Sequence, residues 1–176
     1  MIGKLIDVPA LERPDLLGAP VEKALRAWPD AGVVRVAEID PDLADTAAFC
    51  TEYAVSLEAS ANCVVVAGRR GGDTRHAACM ILATTRADVN GVVRRHLDVR
   101  KASFASMDGA VALTGMEYGG ITPIGLPADW PILVDARVVD VAEAIIGSGV
   151  RRSKLVLPGA ALARLPGAVV LTDLAR

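Results

Sequence analysis

Two apolar runs separated by a short polar segment constrain the fold of this chain most. The runs cover residues 62–67 and 77–83, and the segment between them reads GRRGGDTRH. Paired glycines among charged residues are typical of a hairpin turn, so both runs are predicted to be inner strands of an antiparallel pair. Helices and strands alternate elsewhere along the chain. A hairpin among them favours a mixed sheet in an α+β fold over a doubly wound parallel sheet.

Hydrophobic periodicity predicts further elements on both sides of the hairpin. Val21, Leu25 and Trp28 are spaced to share one face of an N-terminal helix, which a turn then follows. Asp88 is placed to cap a helix that carries Val89, Val92, Val93 and Leu97. The same reasoning predicts strands over 33–39, 130–134, 154–157 and 169–171, and helices over 41–54, 139–146 and 159–165.

Composition and charge exclude several classes of protein. The chain has 176 residues, 52% of them hydrophobic, which is enough for one domain with its own core. A net charge of -2 excludes a strongly basic nucleic-acid coat protein. No uncharged apolar stretch of about 18 residues predicts a membrane span. Asp7 and Pro9 interrupt the N-terminus before the apolar core of a signal peptide could form, so a cytoplasmic location is expected.

The cysteines and histidines do not predict a metal site or a cofactor. Cys50, Cys63 and Cys79 are an odd number at spacings that fit neither a disulfide framework nor a zinc motif. They are interpreted as buried thiols in a reducing compartment. His76 lies three residues before Cys79, but the chain has only two histidines and no second pair of ligands.

The segment 114–127, TGMEYGGITPIGLP, has the highest density of unusual backbone residues. Gly119 and Gly120 allow positive φ and the close approach of another molecule, and Pro123 stiffens the exit. The amides of residues 119–122 could converge on a carbonyl oxygen or a phosphate and form an oxyanion cradle. A tight turn between core elements explains the glycines equally well.

This segment, followed by WPILVDARV, resembles the YbaK/prolyl-tRNA-synthetase-associated editing-domain family. The family carries a TGY-x-x-GG-[IV]-[ST]-P-[FILM]-G loop, a strand ending in Asp and a glycine-containing turn. The matching positions are residues 114–125, Asp135 and the GSG of 147–149 with Arg151 and Arg152. ACMILATT at 78–85 and the C-terminal LVLPGAALARLPGAVVLTDLA extend the resemblance to about 33–175.

The resemblance implies a single domain with a mixed, curved β-sheet flanked by helices. Residues 33–176 would form the editing domain, and residues 1–32 a helical extension packed on it. It also implies a free-standing hydrolase that removes wrong amino acids from tRNA in trans, with a proline-type tRNA carrying a small amino acid as the expected substrate. The partners implied are the aminoacylated 3′ end of tRNA and a synthetase. Editing of this kind clears the small residues that a synthetase pocket rejects only weakly.

Site residues carried over from the family fall into two groups. The 119–123 loop would hold the aminoacyl ester, Asp135 would shape or polarise the pocket, and water activation would use the substrate's own ribose hydroxyl or thiol. The residues expected at the reacting ester are Gly119, Gly120, Asp135 and Asn62. Those expected to bind substrate are Gly115, Tyr118, Ile121, Thr122, Pro123, Gly125, Ser148, Gly149 and Arg152.

Asn62 is a departure from the family pattern. The family has a lysine in K-[ST]-L where this chain reads Ala61-Asn62-Cys63-Val64. Asparagine can donate a hydrogen bond and so position the terminal nucleotide, but it supplies no charge to a phosphate or an oxyanion. The alternative is therefore a catalytically inactive module that binds a tRNA 3′ end or a small ligand.

Local basic clusters are the remaining feature that could meet RNA. They could follow the phosphates of an acceptor stem or be ordinary solvated surface, and the sequence leaves both interpretations open. The clusters are Arg69 and Arg70, Arg75, Arg94 and Arg95, Arg100 and Lys101, and Arg151, Arg152 and Lys154.

Overall fold

A computed structural model describes residues 2–176 and contains two β-sheets flanked by short helices. The strands are β1 (Asp7–Pro9), β2 (Arg35–Glu38), β3 (Ala61–Arg70), β4 (Asp73–Leu82), β5 (Lys101–Phe104), β6 (Ile132–Asp135), β7 (Ala144–Gly147), β8 (Ser153–Leu157) and β9 (Ala168–Leu171). The α-helices are α1 (Ala19–Ala27), α2 (Thr46–Glu52), α3 (Arg94–Leu97), α4 (Met107–Thr114), α5 (Ala136–Val139) and α6 (Gly159–Leu162). A π-helix over Val89–Val93 leads into α3, and short 3-10 helices cover Ala10–Glu12, Pro14–Leu16, Ala31–Val33 and Pro41–Leu43.

One sheet is antiparallel throughout and the other is mixed. The first has the order β1-β2-β8-β7, and the second has the order β5-β3-β4-β6-β9. β3 pairs antiparallel with β4 and β5, whereas β4, β6 and β9 run parallel to one another. A parallel bridge between Ser60 and Ile145 links the sheets. The predicted α+β class with a mixed sheet is confirmed, and its strands are divided between two sheets.

The central hairpin forms where the glycine pair predicts it. β3 and β4 are in register from Ala61 opposite Leu82 to Arg70 opposite Asp73. Gly71 turns the chain with a φ of +62°, in the left-handed region that favours glycine. The paired strands extend beyond the two apolar runs because the polar residues on either side of the turn also join the ladder.

Residues 2–32 are built into the core. The predicted N-terminal helix is present as α1, and Val21 and Leu25 on its inner face are at most 1% exposed. Leu5 and Leu16 are equally buried. The segment also contributes β1, a strand the sequence did not predict, which pairs with β2 at the edge of the antiparallel sheet.

Two predicted helices differ from the structure. The helix predicted over 139–146 is wrong, because α5 ends at Val139 and β7 occupies Ala144–Gly147, where it pairs with β8. Ile145 and Ile146 are both at most 2% exposed, so this short β-branched run is buried on both faces of a sheet. The helix predicted over 41–54 is split into a 3-10 turn and α2, because Asp45 caps α2 through the amide of Ala47.

Candidate active site

A cavity of about 340 Å³ opens where the first residues of β3 meet α2, β7, β8 and the glycine-rich loop. Both polar and apolar residues line this cavity. The lining residues are Ala44, Asp45, Thr46, Phe49, Ser60, Ala61, Asn62, Cys63, Val64, Tyr118, Gly119, Ile121, Ile145, Ile146, Gly147, Arg151 and Lys154. The structure therefore brings together Asn62, Tyr118, Gly119 and Ile121 from the residues that the sequence singled out.

The glycine-rich loop divides between two cavities. Tyr118, Gly119 and Ile121 line the cavity described above. Pro123 and Gly125 instead line a second, mainly apolar cavity next to α1, together with Trp28 and Trp130. The two ends of the predicted loop therefore face different surroundings.

Close contacts with the β7–β8 turn hold the first half of the loop in place. Gly119 has a φ of +85°, and a Cβ there would lie 2.6 Å from Nη1 of Arg151. That guanidinium donates to the carbonyl oxygens of Tyr118 (3.1 Å) and Pro41 (3.0 Å). Arg151 thus joins the loop to the segment before α2 across the cavity rim.

Three loop residues at the cavity have an amide without a partner among residues 2–176. The N–H groups of Tyr118, Gly119 and Ile121 meet no described acceptor, and all three residues line the cavity. The N–H of Gly120 is already used, because it donates to the carbonyl oxygen of Glu117 at 2.9 Å. The available part of the predicted cradle is therefore the pair of amides on either side of Gly120.

Asn62 lies at the start of β3 and lines the cavity. Its Oδ1 accepts a hydrogen bond from Oγ1 of Thr46 at 3.0 Å, which fixes the orientation of the amide group. The Nδ2 donor has no acceptor among the described residues, so it is available to a ligand.

Lys154 is a cavity residue that the sequence analysis did not assign to the site. It lies in β8 between Ala37 of β2 and Gly147 of β7, and only 8% of it is exposed. Its Nζ donates to the carbonyl oxygen of Ala44 at 3.1 Å and lies 5.4 Å from the centre of the Phe49 ring. The sequence signal was a single lysine inside a strand that is otherwise apolar or small, Ser153–Leu157, all of it buried.

The ammonium of Lys154 has no counter-ion within residues 2–176. No described carboxylate lies within 4.0 Å of its Nζ. The pKa of Lys154 is lowered to about 8, mainly by burial; Cys50 and Asp45 oppose this lowering, and Arg151 adds to it. A buried cation without a partner is costly, so its position beside a cavity makes it a binding group for an anion.

The cysteines near the cavity are not activated as nucleophiles. Burial raises the pKa of the Cys63 thiol, in the cavity wall. Burial also raises the pKa of Cys79, to about 12. Both therefore stay protonated near neutral pH, and a thiol is a far weaker nucleophile than a thiolate. No group of three or more His, Cys, Asp and Glu side chains within residues 2–176 is arranged to hold a metal ion.

Asp135 lies outside the cavity, although the resemblance implies that it shapes the pocket. Its buried carboxylate accepts hydrogen bonds from the Arg137 guanidinium (2.9 and 3.0 Å) and from the Ala175 amide (3.1 Å). It also caps α5 through the Arg137 amide. Burial raises the pKa of Asp135, but the bonds and charge of Arg137 outweigh burial and hold that pKa below its usual value.

Several other predicted residues pack around the loop without lining the cavity. Ser148 is buried with its Oγ 2.7 Å from Oγ of Ser153, and Gly149 packs against Gly18. The guanidinium of Arg152 donates to the carbonyl oxygen of Asp15, in the N-terminal segment. Gly115 ends α4 in a left-handed conformation, and Thr122 is fully buried with no partner for Oγ1 in the described part of the chain.

A family model for the aminoacyl-tRNA editing domain matches residues 40–165 of this sequence. The chain belongs to the aminoacyl-tRNA editing domain family. The matched residues contribute every lining residue of the cavity. No curated protein matches the chain in sequence.

Solved structures share the fold of this editing domain. The hypothetical protein APE2540 aligns with a TM-score of 0.77 at 22% identity over 89% of this chain and 99% of its own. A proposed trans-editing enzyme for prolyl-tRNA synthetase aligns with a TM-score of 0.75 at 20% identity over 90% of this chain and 96% of its own. None of the helices between residues 2 and 176 is both long and apolar enough to cross a membrane.

Proposed function

We propose that this editing domain is a free-standing aminoacyl-tRNA deacylase that acts in trans on a proline-type tRNA carrying a small amino acid. The observation that carries the proposal is the position of Lys154. Lys154, whose ammonium has no counter-ion within residues 2–176, lines the same cavity as Asn62, Gly119 and Ile121, and the amides of Gly119 and Ile121 have no described acceptor. A cation is thus present in the cavity even though asparagine occupies the position at which the family has lysine.

The reaction is hydrolysis of the ester between the amino acid and the terminal ribose. Water adds to the carbonyl carbon, the bond to the ribose oxygen breaks, and that oxygen leaves with a proton as the ribose hydroxyl. Charge develops on the carbonyl oxygen, where hydrogen-bond donors and a cation lower the barrier. We assign this role to the amides of Gly119 and Ile121 and to Nζ of Lys154, and we assign orientation of the terminal nucleotide to Asn62.

The dimensions of the cavity support a small amino acid. A volume of about 340 Å³ is near the lower end of the roughly 300–1,000 Å³ typical of ligand pockets. Ile121, Ile145 and Ile146 bring branched apolar side chains to its lining. A bulky aminoacyl group would compete with the terminal nucleotide for this space.

The first experiment is deacylation of proline tRNA charged with alanine, cysteine, serine, threonine or proline. The wild-type protein is compared with Lys154→Met and Asn62→Ala, and with Lys23→Met as a matched exposed lysine on α1. We expect selective hydrolysis of one or two small aminoacyl esters. Lys154→Met is expected to lower the rate about 100-fold or more, as loss of an oxyanion donor does in other hydrolases.

Two outcomes would contradict the proposal. Hydrolysis by Lys154→Met at the wild-type rate would remove the lysine from the mechanism. A wild-type protein that binds these tRNAs but hydrolyses none of the esters would instead identify a non-catalytic binding module, the alternative that Asn62 raised.

A further inference from the structure

A cationic groove lies further along β3, the strand whose first residues line the cavity. A groove of about 980 Å³ opens around the far half of β3, β5 and the π-helix. Four cationic side chains line it, namely Arg69, Arg94, Arg100 and Lys101. They come from three separate basic clusters of the sequence, and only the fold brings them together.

The four cations of this groove are not used in ion pairs. Within residues 2–176, no carboxylate lies within 4.0 Å of any of them. Their neighbours Arg70 and Arg75 differ, because both pair with Asp98. Arg70 and Arg75 therefore have an intramolecular carboxylate partner, and the four groove cations have none among residues 2–176. The groove is thus a local concentration of unpaired positive charge in a chain whose net charge is -2.

The groove and the cavity are connected by one strand. Asn62, Cys63 and Val64 of β3 line the cavity, and Ala67, Gly68 and Arg69 of the same strand line the groove. From Asn62 to Arg69 the strand rises seven residues, or about 23 Å. Because each nucleotide of a stacked strand rises about 3.4 Å along the axis, this distance corresponds to several nucleotides.

An exposed aromatic side chain lies between the two features. Phe104, in the edge strand β5, stands opposite Val66 of β3 and is 62% exposed. Tyr118, at the cavity, is 52% exposed. In the β3–β5 register Phe104 lies on the face of Val66, and Lys101 lies with Arg69 on the opposite face, so an RNA strand that crosses the edge strand β5 would reach both the ring and the cations. Exposed aromatic rings and cations are the groups with which proteins bind single-stranded nucleic acid, stacking bases on the rings and holding phosphates with the cations.

We infer that β5 and the cationic groove bind the single-stranded 3′ segment of the RNA whose terminal ester enters the cavity. Phe104 stacks on a base, and Arg69, Arg100 and Lys101 contact the phosphates that precede it. The inference rests on the proposed function, since it takes the orientation of the RNA from the ester in the cavity. This surface lies outside the cavity and recognises the bases and phosphates of single-stranded RNA.

The test measures binding of uncharged proline tRNA, and of a short single-stranded RNA ending in CCA, over a range of salt concentrations. The variants are Arg100→Gln with Lys101→Gln, and Phe104→Ala. The matched control removes two positive charges from α1, with Lys23→Gln and Arg26→Gln. Loss of two phosphate contacts should reduce the slope of log K against log salt by about 1.4, and Phe104→Ala should weaken binding about fivefold or more.

Measurements of hydrolysis on a long and a short substrate distinguish this inference from the proposed function. The groove variants should lower kcat/KM for charged tRNA more than for the alanyl ester of adenosine, which is too short to reach the groove. Unchanged affinity and salt slope in both groove variants, with wild-type hydrolysis intact, would overturn the inference and leave the deacylase. Groove-dependent RNA binding without hydrolysis of any ester would support the inference and overturn the deacylase.

Discussion

At the scale of single residues, Lys154 and Asp135 show two different uses of a buried charge. Asp135 is 1% exposed, and its carboxylate is matched by the Arg137 guanidinium and two backbone amides. Lys154 is 8% exposed, and its partners among residues 2–176 are one carbonyl oxygen and one aromatic face. A matched charge stabilises the fold around it, whereas an unmatched charge beside a cavity opposes folding and is available to a ligand.

The pH dependence of stability should reveal the cost of burying Lys154. Its pKa is about 8 in the folded protein, against 10.5 for a free lysine, so between these values the unfolded chain binds more protons. The free energy of unfolding should therefore rise as the pH increases from about 8 to about 10.5. The gain relative to Lys154→Met should approach about 3 kcal/mol. Urea unfolding of both proteins at several pH values would measure it, and parallel curves would contradict the depressed pKa.

Removing Asp135 should lower the stability of the protein rather than its rate of hydrolysis. Asp135→Ala removes the carboxylate partner of the Arg137 guanidinium, which keeps its bond to the Ala175 carbonyl oxygen, and leaves the amides of Arg137 and Ala175 without an acceptor. We expect a loss of about 1–3 kcal/mol in the free energy of unfolding, with hydrolysis per folded molecule within a few-fold of wild type. Denaturant unfolding and deacylation on the same samples would check this. A stable Asp135→Ala protein without activity would restore Asp135 to the site.

At the scale of elements, the loop that provides the free amides is positioned by its contact with β7. Gly147 closes that strand, and a Cβ there would lie 2.5 Å from the carbonyl oxygens of both Gly120 and Ile121. Those atoms are backbone, so they cannot move aside as the end of a flexible side chain could. The absence of a side chain at Gly147 thus sets how closely the loop approaches the cavity wall.

Gly147→Ala should therefore displace the loop. We expect a loss of about 1–3 kcal/mol in stability from overpacking and at least a tenfold loss of hydrolysis, because the amides of Gly119 and Ile121 would move with the loop. Gly32→Ala is the matched control, because a Cβ at Gly32 meets no atom within 4 Å. Thermal unfolding and deacylation would measure both effects. Equal activity of the two variants would contradict this account of the loop.

At the scale of the whole molecule, the N-terminal segment is part of the same core as the site. Leu16, Val21 and Leu25 belong to the largest cluster of buried residues, together with Ile146 of β7 and Leu155 of β8. Gly18 packs against Gly149 in the turn between β7 and β8. The editing domain predicted over 33–176 therefore buries much of its apolar surface against residues that precede it.

Deleting residues 1–32 should abolish cooperative folding. The deletion removes α1 and β1 and exposes the apolar face on which they pack, at a cost of about 25 cal/mol for each Å² of apolar surface returned to water. We expect the 33–176 fragment to bind a hydrophobic dye and to lack a cooperative thermal transition. A fragment that melts cooperatively near the wild-type temperature would show that residues 1–32 are a separable extension.

Local signals in the sequence determined the central hairpin, a helix start and the family of this protein. Gly71 and Gly72 between two apolar runs specify the hairpin, because turn chemistry acts over a few residues. Asp88 caps its helix as predicted, through the amides of Gly91 and Val92. The motif over 114–125 predicted the editing-domain family, which the match over 40–165 confirms. The roles assigned to individual site residues remain predictions.

Only the tertiary structure decided which of these residues meet. Val139, Ala142 and Ile146 fit a helical spacing, but pairing with β8 makes residues 144–147 a strand, because burial on both faces outweighs local periodicity. Asn62 and Lys154 are 92 positions apart and line one cavity because β3 and β8 belong to sheets that meet there. Charge and hydrogen-bond partners depend on such long-range contacts. The sequence alone therefore predicted a family and a loop, and the fold decided which groups reach the cavity.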